Sequence, residues 1–149
     1  MSNSLYRNIL IATDGSENSQ RAISCGIETA KLSGATVHAL YVVDTPSIIS
    51  ETWTAGKEMV HELIIREGKK VLSKVKKIIE DSGVEVKEVL LEGYPSEEII
   101  NFAENNNMDL IVMGTLGKTG LERFLVGSVA ENVIRNSKVP VMVIRNENS

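Results

Sequence analysis

Leu110-Ile111-Val112-Met113-Gly114-Thr115-Leu116-Gly117-Lys118-Thr119-Gly120, running on to Gly127-Ser128, decides the fold. It opens as a continuous apolar run of strand length. A strand apolar on both sides must be covered on both sides, which places it in a parallel sheet between helical layers. The run passes directly into Gly114, Gly117, Gly120 and Gly127, four glycines within fourteen residues and more than one turn requires. Glycine lets a backbone approach a ligand with no Cβ in the way. Ser128-Val129-Ala130-Glu131 fits the capping-box pattern, so a helix is predicted to begin at Ser128 with that side chain as its cap. The first amides of such a helix lack intrahelical partners and offer a seat for phosphate. Plain turns at the glycines, and a serine that caps its own helix alone, fit the same residues.

Working outward, four more apolar runs have strand length: Ile9 to Ala12, Val37 to Val43, Val84 to Leu91 and Val141 to Ile144. Helical spacing fills the intervals. It is carried by Ala22, Ile23, Gly26, Ile27 and Ala30, and then by Val71, Leu72, Val75, Ile78 and Ile79. Ile99 and Ala103 mark a third helix, and Val129, Val133 and Ile134 a fourth. The punctuation agrees: Ser16 precedes the first helix, Gly34 follows it, Gly83 follows the second, and Pro95 suits an opening turn of the third. Strands alternating with helices through right-handed crossovers give an open α/β sheet. Asp44 to Gly56, with Pro46 and Trp53, is too irregular for an element and reads as a mobile loop. Asn146 to Ser149 reads as a frayed tail. Without linker or repeat, residues 1–149 form a single domain.

Composition narrows the function classes. Apolar residues at 42% and charged residues at 24% describe an ordinary globular chain rather than a disordered or fibrous one. A formal charge of −4 opposes a general nucleic-acid or anionic-membrane surface. Cys25 stands alone and cannot form an internal disulfide, which fits a reducing compartment. Met1 to Asn8 lacks the apolar stretch of a secretory signal, and no run approaches the ~18 apolar residues of a membrane span. The expectation is a cytoplasmic domain with neither a membrane nor a nucleic-acid partner.

Chemistry-bearing residues are few. Gly117-Lys118-Thr119 resembles the end of a Walker A loop, but that motif requires glycine at position 112, where this chain has Val112. The P-loop mechanisms are therefore excluded. Asp14, in Ala12-Thr13-Asp14-Gly15-Ser16, lies just past the first strand, where ligands of open α/β sheets bind. It suits an Asx-turn or a helix cap equally well. A response-regulator phosphoacceptor would need a second acidic residue beside it, and Ala12 to Ser16 holds none. His38 and His61 stand beside no nucleophile, and Cys25 falls among small apolar residues of a helix. The lysines of the second helix are interleaved with Glu67, Glu80 and Asp81, as on a solvated face. No catalytic constellation is visible.

With these residues in place, the chain resembles a known family. Gly114-x2-Gly117-x9-Gly127-Ser128 matches the G-x2-G-x9-G-[ST] signature of the ATP-binding universal stress proteins. Ile9 to Asp14, Tyr41-Val42-Val43-Asp44, Gly93-Tyr94-Pro95 and Ser137 to Ile144 resemble further family segments, in order and over nearly the whole chain. The resemblance implies five parallel strands in the order 3-2-1-4-5 with helices on both faces, an adenine nucleotide alpha hydrolase-like fold. It also implies an ATP site, with adenine near Ala12, Val42 offering backbone hydrogen bonds and Met113 packing on the base. Asp14 would meet the sugar side. Gly114, Gly117, Gly127, Ser128 and Val129 would supply amides to ribose and phosphates, and Mg²⁺ or Mn²⁺ would be held mainly by the phosphates.

This chain departs from the family at Leu116, where many members carry Arg or His, and at Lys118, where they carry Arg. A lost charged contact costs about 1.5–3 kcal/mol, so ATP would bind more weakly unless Lys118 replaces it. In the implied order the last strand, Val139 to Ile144, lies at an edge yet is apolar on both faces. Such an edge predicts a homodimer through paired strands, as the family commonly forms. The leading function is ATP occupancy as a stress-response signal or conformational clamp, with slow hydrolysis at most. The alternatives are a slow ATPase or adenylyl-type enzyme on the same scaffold, and a dimeric interaction module without nucleotide.

Overall fold

The computed structural model describes residues 5–46, 56–115 and 127–145. Leu116 to Gly120, with Gly117 and Lys118 among them, therefore lie outside the described residues. So do the greater part of the expected 44–56 loop and the tail from Asn146. The elements run β1 (Asn8–Ala12), a 3-10 turn (Glu17–Ser19), α1 (Gln20–Ser33), β2 (Thr36–Val43) and α2 (Lys57–Asp81). They continue with β3 (Val86–Glu92), α3 (Pro95–Asn105), β4 (Leu110–Gly114), α4 (Ser128–Asn136) and β5 (Val141–Ile144). Among the described residues no helix is long and apolar enough to cross a membrane.

The strands form one five-stranded sheet in the order β3-β2-β1-β4-β5, and every pairing is parallel. Both faces of the central strands are covered, which is why they read as continuous apolar runs. Ile9, Ile11, Val37, Ala39, Leu110 and Val112 point into one layer, against Ala22, Ile23, Ile27 and Ala30 of α1 and Leu72, Val75 and Ile79 of α2. Leu10, Ala12, Leu40, Ile111 and Met113 point into the other, against Ile99 and Ala103 of α3 and Ala130 and Val133 of α4. Alternation along each strand thus separates two cores with the sheet between them.

Glycine shapes the first layer. Gly26 lets α1 lie on β1, because a Cβ there would collide with the side chain of Ile11, itself fully buried. Gly34 closes α1 at φ +70°, as its position after the helix predicts, and Pro95 occupies the first turn of α3. Three expectations need correction. Ser16 caps a 3-10 turn by backbone position only, and Ser19 stands at the N-cap of α1. Ile78 and Ile134 face solvent at 54% and 49% exposure, while Ala130 takes the buried place beside Val133. Val84 is buried but precedes β3, which starts at Val86. A three-and-four spacing marks a helix well, but it does not say which edge of the stripe meets the sheet.

Candidate functional site

Strand order makes the crevice. β1 and β4 are neighbours, yet α1 leaves β1 toward one face and α4 leaves β4 toward the other. Among the described residues no connection crosses the gap between their carboxyl ends, the place where open α/β sheets take ligands.

The β1 wall is Thr13 to Ser19. Asp14 accepts the Ser16 amide through Oδ1 at 2.9 Å, the Asx-turn that its position allowed. Thr13, only 7% exposed, accepts the Gly15 amide at 3.1 Å and lies 2.8 Å from the Ser19 hydroxyl. Ser19 gives its one hydroxyl proton to the Ser16 carbonyl at 2.8 Å, so the Thr13 hydroxyl must donate to Ser19. Gly15 adopts φ +80°, and a Cβ there would stand 2.8 Å from Val71 Cγ2. The loop needs glycine on both counts. Thr13 and Ser19 were missed by sequence reasoning; a buried hydroxyl beside an Asp-Gly turn was the available signal.

Short or apolar residues stand at the strand ends. Ala12 and Met113 end their strands at 8% and 6% exposure, and they share the α3/α4 face with half-buried Val42 and Val129. β2 outruns β1. Ala12 pairs with Leu40, and the Thr13 amide reaches the Leu40 carbonyl at 3.0 Å. In a parallel ladder alternate residues turn their main-chain groups to the same side, so the N–H and C=O of Val42 also point toward β1, beyond its end.

The β4 wall is differently made. Thr115 donates to the Ile144 carbonyl at 3.1 Å, and Gly127 donates to the Thr115 carbonyl at 2.6 Å. Gly114 pairs with Ile144 across the β4–β5 ladder. The Gly127 amide, expected to meet phosphate, is engaged within the chain by the Thr115 carbonyl. α4 does begin at Ser128, but its N-cap is Gly127 and no side chain caps it. Glu131 donates its amide to the Gly127 carbonyl at 2.9 Å, so the serine occupies the first helical turn rather than the cap. The S-x-x-E pattern cannot distinguish those two positions. The amides of Ser128 and Val129 find no acceptor among the described residues, and the Ser128 side chain is exposed.

Elsewhere, an open hollow at the tips of β2 and β3 is lined by Thr45, Pro46, Glu92, Gly93, Tyr94 and Glu98. His61 Nε2 lies 2.6 Å from Glu92 Oε1 at its rim. Two carboxylates make that hollow unsuited to phosphate, and it lies away from the β1–β4 crevice. His38 sits half-buried on β2, 3.4 Å from Asn8 Oδ1, with its ring 6.2 Å from that of Phe102. Burial, then the Lys87 charge, lowers its pKa below 6.5, with Glu85 opposing. It is a packed residue at the amino-terminal half of its strand, as its sequence context suggested.

The family model described as the universal stress protein family matches residues 5–145. The chain belongs to that family. Universal stress protein MJ0531 of Methanocaldococcus jannaschii is 48% identical over 141 residues, spanning 95% of this chain and 83% of its own length. Universal stress protein MJ0577 of the same organism is 35% identical, spanning 97% of this chain and 98% of its own length. Its solved structure superposes with a TM-score of 0.86 at 36% identity, covering 97% of this chain and 99% of that one. A universal stress protein from Archaeoglobus fulgidus was solved in complex with dAMP. It matches with a TM-score of 0.71 at 29% identity, covering 95% of this chain and 99% of that one. The strand order that the family resemblance implied, 3-2-1-4-5, is the order seen here.

Proposed function

We propose that this universal stress protein binds ATP in the β1–β4 crevice and that occupancy, rather than turnover, is its output. The observation that carries the reading is the crevice itself. At its β4 side the amides of Ser128 and Val129 have no acceptor among the described residues, and at its β1 side Asp14 follows the strand end, with Ala12, Met113 and the Val42 main chain at the ends of the central strands. A related chain solved with dAMP supports an adenine nucleotide as the ligand class.

In this reading the base lies against Ala12 and Met113, with its polar edge on the Val42 main chain. Asp14 keeps Oδ1 in its turn and offers its other oxygen to the sugar. Phosphates meet the amides of Ser128 and Val129 at the positive end of α4, the Ser128 hydroxyl, and the Gly114 to Gly117 segment with Leu116 in it. Gly127 contributes a fixed turn in place of an amide. Mg²⁺ or Mn²⁺ would neutralise the phosphates; the β1 wall carries Asp14 and the exposed Glu17, and the described residues hold no cluster of three metal-ligating side chains, which suits a metal held chiefly by the nucleotide. β5 is half-buried at the sheet edge with both faces apolar, and we assign it to strand pairing in a homodimer.

Native mass spectrometry of freshly purified protein tests the reading, with calorimetric titration of Mg-ATP beside it. Bound adenine nucleotide on a two-subunit species is expected. A flat titration with a bare monomer defeats the proposal, and turnover well above about 1 s⁻¹ moves it to the enzyme class.

A further inference from the structure

Two consecutive carbonyls at the end of β5 are held from opposite walls of the crevice. Thr115, which leads out of β4, donates its amide to the Ile144 carbonyl at 3.1 Å. Arg21, in the first turn of α1 beyond the β1 wall, donates Nη1 to the Arg145 carbonyl at 2.8 Å. The arginine spans 124 residues of sequence to do so, joining the start of α1, the helix that follows β1, to the chain just past β5, two strands away in the sheet. Thr115 is in turn tied to the α4 side, because its carbonyl accepts the Gly127 amide at 2.6 Å. The end of the edge strand is therefore a strut shared by both walls, and neither wall can shift without pulling on it.

We infer that Arg21 is a positioning residue that couples the filling of the crevice to the pairing of β5 with a second copy of this chain. The inference rests on the nucleotide and dimer readings above. A ligand drawn to both walls fixes their separation, which fixes the two carbonyls and holds the edge of β5 straight for a partner strand. By linkage the dimer then holds its two nucleotides more tightly, and the product of the two gains in affinity equals the gain in dimer stability. Arg21 is exposed, so its replacement leaves the two cores untouched.

Sedimentation equilibrium of the full chain, with and without millimolar Mg-ATP, tests this on wild type, Arg21→Met and Arg21→Lys. Methionine keeps the aliphatic stem and removes the donors; lysine restores one donor. The wild-type dimer dissociation constant is expected to fall about fivefold with Mg-ATP, at the lower end of usual coupling strengths. The fall should shrink below about twofold in Arg21→Met and recover in part in Arg21→Lys. An undiminished shift in Arg21→Met overturns the role of Arg21 and leaves nucleotide binding and dimerisation standing. A wild type that binds no Mg-ATP by calorimetry, or stays monomeric throughout, overturns those two readings and the coupling with them.

Discussion

The two walls of the crevice are built on opposite plans. On the β1 side Thr13, Asp14, Gly15, Ser16 and Ser19 are tied together by four hydrogen bonds of 2.8–3.1 Å, while the buried Ser16 hydroxyl finds no partner among the described residues. On the β4 side the amides at the start of α4 find no acceptor among the described residues. A network tied in this way resists deformation and offers a ligand little beyond one carboxylate oxygen and the Ser16 hydroxyl. Bare amides at a helix start offer an anion its strongest neutral partners. The difference teaches a division of labour in which one wall sets the shape of the hollow and the other supplies its attraction.

Each substitution below targets one wall. Ser128→Pro should act most strongly. Proline is tolerated at the first helical position, where its fixed φ suits the helix, and Gly127 already has the extended ψ of 157° that a following proline requires. The change removes one amide and the hydroxyl, which at about 1.5–3 kcal/mol per charged hydrogen bond weakens Mg-ATP binding roughly a hundredfold by calorimetry. The melting temperature should hold.

Gly15→Ala should do the reverse. With φ at +80° and Val71 Cγ2 at 2.8 Å from the new Cβ, about 2 kcal/mol of unfolding free energy is lost in urea titration. An equal loss of stability from Ser128→Pro would erase the distinction between the walls.

Asp14→Asn is a finer instrument. Asparagine preserves the Asx-turn to Ser16, so stability should be unchanged while nucleotide affinity falls about fivefold, a difference of about 1 kcal/mol. Destabilisation without loss of affinity would make Asp14 purely part of the frame.

The smallest effect lies outside both walls. Because burial lowers the His38 pKa, the unfolded chain takes up a proton more readily than the folded one. This contribution to stability is whole above pH 6.5 and is lost as pH falls from there through the lowered folded value. His38→Gln should flatten that acid limb in denaturant melts and leave Mg-ATP affinity alone, marking the crevice as independent of the far end of β2.

Much of this was legible in the chain. Continuous apolar runs announced the central strands, because only strands covered on both faces can be apolar throughout. Gly34 and Pro95 marked helix ends through their own backbone restrictions. Asp14 and Gly114 were identifiable as residues at strand ends, though their adjacency entered through family likeness and not through periodicity. The cap of α4 was misread, since Gly127 and not Ser128 holds that position, and the Gly127 amide is engaged by Thr115, which lies twelve positions earlier in the chain.

By themselves, the residues determined which segments become strands and helices, since apolar spacing and glycine or proline conformational limits act within a few neighbours. Only the tertiary structure decided which amides stay unpaired, how Thr13 and Ser19 share their protons, and that Arg21 reaches the end of β5. Hydrogen bonds between distant segments depend on where strand order sets those segments side by side, and local sequence carries no record of that placement.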